Sequence, residues 1–396
     1  MIKATRLQTK FHNRNLVLHT IIQTESISRA EIARVTSLTK TTVSDIVADL
    51  IAEGLVAETG IGESLGGKSP ILLSLLPNAR NLVGLNLAQN QFQGVIVNLR
   101  GQVQKRIDLP VNGADGEQAM DRVYTILDEL IAASGQPPVG IGVGTPGLVN
   151  SRAGVVVNAV NLDWHDFPLG QLRKERYHLP VSVLNDSQAA AIGEYTYGKG
   201  HTPESSLVVI NAHHGIGSGI VLNGRLYQGD GGGAGEIGHV VVVPEGGRLC
   251  RCGNRGCLET VSSAQAILQR MHEHTSAPGL TLDEVRRAYV QGDPLAQRLV
   301  TESAYYLGLA ISALVGILNI REIVLSGDMT CFGDAWLDTI HATLHRTALT
   351  HAAQETHLAF GQLGGDAVAL GSTAVLAHHY SLLFSEQPVP ADFTYL

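Results

Sequence analysis

The sequence predicts an α/β protein with a winged helix-turn-helix at the N-terminus and a two-lobed body carrying a metal loop. Three observations predict it. Residues 27–54 pattern as two short helices across a tight turn. Residues 81–110 and 205–229 read as two similar three-strand meanders, the mark of an internal duplication. Three of the four cysteines fall within eight residues, 250–257.

The head comes first. Leu16, Leu18, Ile21 and Ile22 fall mostly on one face of a first helix. Ser28 and Glu31 have capping-box spacing ahead of a short helix over 29–35. Thr39 is the expected cap of the next helix, whose apolar stripe is Val43, Ile46, Val47, Leu50 and Ile51. Gly54 stops it. Two helices of this kind place the second in a DNA major groove. Lys40, Thr41, Thr42 and Ser44 lead that helix and are expected to read bases, although Asp45 and Asp49 behind them count slightly against DNA. The following strands and glycine-rich tip form a wing, with Lys68 and Arg14 expected on DNA backbone. An ordinary three-helix bundle for protein contacts is the plainer alternative.

Charge agrees with this division. Residues 1–80 hold nine Lys/Arg and seven Asp/Glu, a balance of +2, while the remainder holds 19 basic and 29 acidic residues, a balance of −10. A mildly basic head on an acidic body fits a nucleic-acid module joined to a ligand domain. The N-terminal stretch has no apolar run suited to a signal peptide, so a reducing cytoplasm is expected. Residues 303–320 carry no charge; glycines, serines and a following strand pattern point to a helix buried on all sides rather than a membrane span.

In the body, a helix is expected over 116–134, with the strand and loop "VGIGVGTPGLVN" after it. A ligand cleft should lie between the lobes. Cys250, Cys252 and Cys257 in a turn-rich loop, with His239 upstream, form a Cys3His set suited to one structural Zn2+ per chain. An iron–sulfur cluster usually needs a fourth thiolate, and Cys331 is distant and reads as an inert core cysteine. Buried free cysteines are the alternative.

"GEIGH" followed by "CRCGNRGCLE" resembles the zinc signature of the ROK family of repressors and sugar kinases, and the head segments "SRAEIARVTSLTKTTVSDIVADLIAEGL" and "GGKSP" resemble the DNA-binding domain of its repressors. The resemblance covers nearly the whole chain and implies the actin/hexokinase-like fold for the body. It implies a head over 1–78, a first lobe over 79–185 completed by a C-terminal helix at 372–390, and a second lobe over 186–371 with the zinc loop and a dimerisation surface. It also implies a sugar site of Asn185, Asp186, Glu236, His239 and Glu259, with backbone near Gly147. Read alone, Asp186 serves equally as a helix cap.

Kinases of the family open the body with Asp-x-Gly-Gly-Thr. Here Asn86 replaces the aspartate, and Ala88, Gln89 and Asn90 replace the small residues, so no phosphate cradle is expected. The expected function is a sugar-responsive repressor, released from a palindromic operator by a neutral monosaccharide such as xylose or glucose. It would act as a homodimer or tetramer with no membrane partner. An active sugar kinase with an attached head, or a repressor controlled by a protein partner, are the alternatives.

Overall fold

The computed structural model describes residues 6–63, 69–171, 176–198, 205–275 and 279–378. In the head, α1 (Arg6–Ile22), α2 (Arg29–Thr36) and α3 (Lys40–Ala52) pack on a sheet of β1 (Ile27–Ser28), β3 (Ile71–Leu75) and β2 (Val56–Ile61), in that order. Local chemistry sets the helix ends. Ser28 Oγ accepts from Glu31 N at 3.2 Å, and Thr39 Oγ1 accepts from Thr42 N at 3.2 Å. The Ser28 cap is shown in this direction only; the Glu31 carboxylate pairs with Arg34 at 3.2 Å. Val17, Leu18 and Ile21 meet Ile32, Val43, Val47 and Leu50 in one core. The inward face of α1 thus includes Val17, while Leu16 is half-buried. Gly54, at φ +68°, ends α3 as expected.

The body holds two sheets of the same topology. One is β4 (Asn81–Leu87), β5 (Gln91–Asn98), β6 (Val103–Pro110), β7 (Ile141–Thr145) and β11 (Val181–Asn185), ordered β11-β7-β4-β5-β6. The other is β12 (Leu207–Ala212), β13 (Ile216–Leu222), β14 (Arg225–Tyr227), β15 (Glu322–Ser326) and β16 (His357–Phe360), ordered β14-β13-β12-β15-β16. In each, a meander pairs antiparallel and two later strands add in parallel. This is the duplication the sequence suggests. A small sheet of β8 (Leu148–Asn150), β9 (Val155–Ala159) and β10 (Trp164–Phe167) extends the first lobe.

Helix α4 (Gly116–Ala133) covers the first sheet through Val123, Ile126 and Leu130. The second sheet packs with α6 (Glu259–Ser262), α7 (Ala264–Thr275), α8 (Leu282–Val290), α9 (Pro294–Leu318), α10 (Asp334–Thr347) and α11 (Thr350–Gln354). Helix α9 is the one described helix long and apolar enough to cross a membrane, and half of its most apolar window is buried. It is not buried on all sides: Ile317 is 78% exposed, because the helices packed on it, α6, α7, α8, α10 and α11, leave its C-terminal part open there. Cys331 is exposed rather than in the core, since it sits in a short 3-10 turn ahead of α10.

Helices α5 (Asp186–Tyr197) and α12 (Ala367–His378) stand between the sheets. Helix α12 starts five residues before the expected position, and residues beyond 378 lie outside the described ones. Glycine permits the close approach. A Cβ on Gly371 would overlap the Ala189 carbonyl oxygen of α5. We expect Gly371→Ala to cost about 3 kcal/mol through overpacking at this crossing. Chemical denaturation checks this: the midpoint should fall with the slope unchanged.

The head is seated on the first lobe. Arg100, in the β5–β6 turn, donates to the carbonyls of Ile22 (3.1 Å) and Thr24 (3.0 Å). Leu99 beside it is buried in the head's core.

Candidate functional site

The N-terminal end of α5 gathers most of the expected cleft residues. Asn185 caps α5, its Oδ1 accepting from Ser187 N at 2.9 Å and Gln188 N at 3.2 Å. Its Nδ2 donates to Gly147 O at 2.9 Å, so it ties the strand end to the β7–β8 turn. Gly147 has φ +89°, and a Cβ there would strike the Asn158 carbonyl. Asp186 follows, half-buried, with Oδ1 accepting from Ser187 N at 2.6 Å and Ser187 Oγ at 3.1 Å. Burial raises its pKa, and nearby His213, Ser187 and Arg251 oppose the shift.

Glu236 and Glu259 approach from the second lobe. Glu236 is pushed up to about 6 by burial and by the charges of Asp186 and Glu259, against the pull of Arg251. Glu259 opens α6 and is 7% exposed. Its Oε2 accepts from Ile216 N at 3.3 Å and Arg251 Nη2 at 3.0 Å, and Arg251 Nε lies 3.0 Å from Oε1. Three carboxylates therefore lie within electrostatic reach of one another and of the Arg251 guanidinium. A cavity of about 450 Å³ is lined by Glu259, alone of the three carboxylates, together with Gln89, Asn161, His214, Arg251 and Ser263 among others. A larger open groove of about 890 Å³ between α9 and α10 contains none of the expected site residues.

The zinc-loop residues come together. The ligand atoms of His239, Cys250, Cys252 and Cys257 lie within 4.8 Å of one another, so the cluster could hold a metal. Cys252 and Cys257 sulfurs are 3.7 Å apart, and His239 Nδ1 is 3.6 Å from Cys250 Sγ. Tetrahedral zinc with ordinary Zn–S and Zn–N bonds needs edges of about 3.8 and 3.6 Å. The loop is shaped by backbone bonds from Cys250 N to Asn254 O (2.7 Å) and from Gly256 N to Arg248 O (2.8 Å). Arg248, paired with Glu273 at 2.6 Å, fastens it to α7. His239 Nε2 points the other way, 3.9 Å from Glu236 Oε2, so one imidazole links the cysteine cluster to the carboxylates.

In the head, Lys40, Thr41 and Ser44 are exposed on the leading turn of α3. Thr42 is half-buried, its Oγ1 2.8 Å from Thr39 Oγ1, so it contributes to the cap. Arg14 departs from expectation. It turns inward to pair with Glu53, with only 14% of its side chain exposed, instead of facing outward for phosphate. Lys68 lies outside the described residues.

Residues 82–379 match the ROK family, and residues 12–57 match winged helix-turn-helix DNA-binding. The chain belongs to the ROK family. The xylose repressor of Caldicellulosiruptor bescii is 28% identical over 92% of this chain and 95% of its own length. The glucokinase of Halalkalibacterium halodurans is 35% identical over 73% of this chain and 92% of its own. A solved ROK family transcriptional regulator, a homolog of the E. coli MLC protein, superposes with a TM-score of 0.83 at 27% identity. It covers 95% of this chain and 98% of its own. The repressor and regulator matches extend through the head, and the kinase match is the shorter one. The ROK body here thus has the hexokinase-like fold with a winged head attached.

Sequence reasoning missed Arg251 and Asn161 in the ROK cleft, and it named Gln89 only as a replaced phosphate-loop position. Arg251 carried one usable signal, a cation set between two cysteines of the loop. It also missed His213, whose Nδ1 lies 3.0 Å from Asp328 Oδ2. Burial pulls the His213 pKa down, but Asp328 outweighs it and the net shift is upward.

Proposed function

We propose that this chain is a sugar-responsive transcriptional repressor. The head reads a palindromic operator, and a neutral monosaccharide in the cleft releases it. The observation that carries this reading is one chain holding both a DNA-reading head, seated on the first lobe by Arg100, and a carboxylate-lined cleft. Asp186, Glu236, Glu259 and His239 would accept and orient the sugar hydroxyls. Asn185 and Gly147 would hold the cleft floor, since their own polar atoms bond each other. One zinc on His239, Cys250, Cys252 and Cys257 would fix the loop that carries Glu259. The protein would work in the cytoplasm as a homodimer, two heads matching two half-sites.

The relatives include kinases, so catalysis needs its own argument. The turn at 88–90 carries Ala-Gln-Asn, and Gln89 Oε1 accepts from Asn161 Nδ2 at 3.3 Å. The second glycine loop has a packing role: Cβ atoms on Gly217 and Gly219 would collide with Ser187 and Ala191 of α5. Both loops therefore have partners within the protein that account for their shape without phosphate. With ATP, magnesium and a sugar panel, no sugar phosphate should form; appreciable turnover would refute this reading.

On DNA, Lys40, Thr41 and Ser44 are the readers, with Thr42 also supporting the helix cap and Lys68 on backbone. Lys40→Ala should cost about 1–3 kcal/mol in operator affinity and relax preference at one base pair. Its sugar affinity should stay unchanged. Footprinting that placed the contacts outside residues 1–80 would rule this out.

A further inference from the structure

We propose that Arg251 determines what the cleft accepts: it occupies Glu259 in place of a sugar diol, and its displacement cuts a hydrogen-bonded strut between the lobes. The inference rests on the sugar reading above.

The argument begins with acceptor capacity. A carboxylate offers roughly four lone-pair sites. Arg251 Nη2 and Ile216 N take both sites on Oε2 of Glu259, and Arg251 Nε stands 3.0 Å from Oε1 as an ion-pair contact. Oε2 is then full, so a diol that places one hydroxyl on each oxygen cannot join. A diol on Glu259 and the intact Arg251 fork are mutually exclusive. Glu259 is buried and must stay bonded, whereas the Arg251 side chain is 39% exposed and can turn to water. Hydroxyl donors replacing N–H donors leave no buried oxygen unpaired.

Arg251 does not act alone. Its Nη1 donates to Asn161 Oδ1 at 3.1 Å, and Asn161 Nδ2 donates to Gln89 Oε1 at 3.3 Å. This strut runs from the cysteine loop of the second lobe to the β4–β5 turn of the first. The far end of β5 leads into Leu99 and Arg100, which hold the head. Freeing Arg251 therefore releases a tie on the hairpin that carries the head.

The charges select the ligand class. Asp186, Glu236 and Glu259 all lie within electrostatic reach of Arg251, and that cation is already bonded to Glu259. A phosphate here would meet three carboxylates. A neutral aldose presenting two adjacent hydroxyls fits.

The test is calorimetric titration of the full-length, zinc-loaded protein with D-xylose, D-glucose and N-acetyl-D-glucosamine. Arg251→Ala should bind the sugar preferred by the wild type about tenfold more tightly, the scale of one charge-assisted bond no longer in competition. Asn161→Ala leaves Glu259 untouched and should tighten binding about threefold, a part of the same bond energy. The double variant should be no tighter than Arg251→Ala alone, because the two act as one unit. Unchanged or weaker binding in Asn161→Ala, or full additivity, overturns the proposal while sugar binding by the wild type stands. If Arg251→Ala loses zinc, Asn161→Ala decides by itself. A wild type that binds none of the three sugars overturns the sugar reading and this inference with it.

Discussion

Glu259→Ala is expected to give a protein that binds operator normally and ignores sugar. Glu259 is 7% exposed and combines a backbone donor, a charged partner and a place beside the other carboxylates. Its loss removes the acceptor for two sugar hydroxyls. At roughly 1.5–3 kcal/mol for each bond to a charged group, affinity should fall by at least about 100-fold. Among the described residues no bond joins the head to Glu259, and with no diol to displace it Arg251 keeps its bond to Asn161, so operator binding without sugar should persist. Operator affinity measured across a sugar titration checks this. If the variant releases DNA at wild-type sugar concentrations, Glu259 is not part of the switch.

Cys257→Ser should have the next largest effect. Cys257 is fully buried, and its backbone bridges Val241. Structural zinc contributes about 10–16 kcal/mol of binding energy in small zinc modules, which is local folding energy. Without the metal, the loop bearing His239, Arg251 and Glu259 loses its anchor. Zinc should drop from about one per chain to near none. Sugar response should vanish and operator binding weaken. A zinc-free wild type with full response would refute the zinc assignment.

The sequence discloses what short-range chemistry decides. The caps at Ser28 and Thr39, the stripe from Val43 to Leu50 and the strand turns depend on neighbours within a few residues, and the structure has them. The clustered cysteines were equally legible, since their spacing alone brings three sulfurs together. Long-range pairing was not legible. Arg14 meets Glu53 across 39 residues, and Asn161 meets Arg251 across 90 and Gln89 across 72. Nothing in the local sequence around these side chains names the distant partner each one finds. The uniform apolar run of α9 concealed that one of its faces is open, because periodicity cannot mark an exposed side that is itself apolar.

The switch obeys a simple limit. Sugar can shift the head only through unequal affinity for the DNA-competent and incompetent states. Complete reversal of a 99:1 population needs about 5.5 kcal/mol, or about 2.7 kcal/mol per site in a dimer. One exchanged carboxylate partner and a cut strut in each protomer are of that order.

The most direct test of the central claim is operator affinity with and without saturating sugar. The duplex is one selected by the wild-type protein from a random pool, and the sugar is the one it binds among D-xylose, D-glucose and N-acetyl-D-glucosamine. The account predicts that sugar weakens DNA binding at least about tenfold, a shift of about 1.4 kcal/mol. Unchanged or tighter DNA binding with the cleft saturated would contradict it.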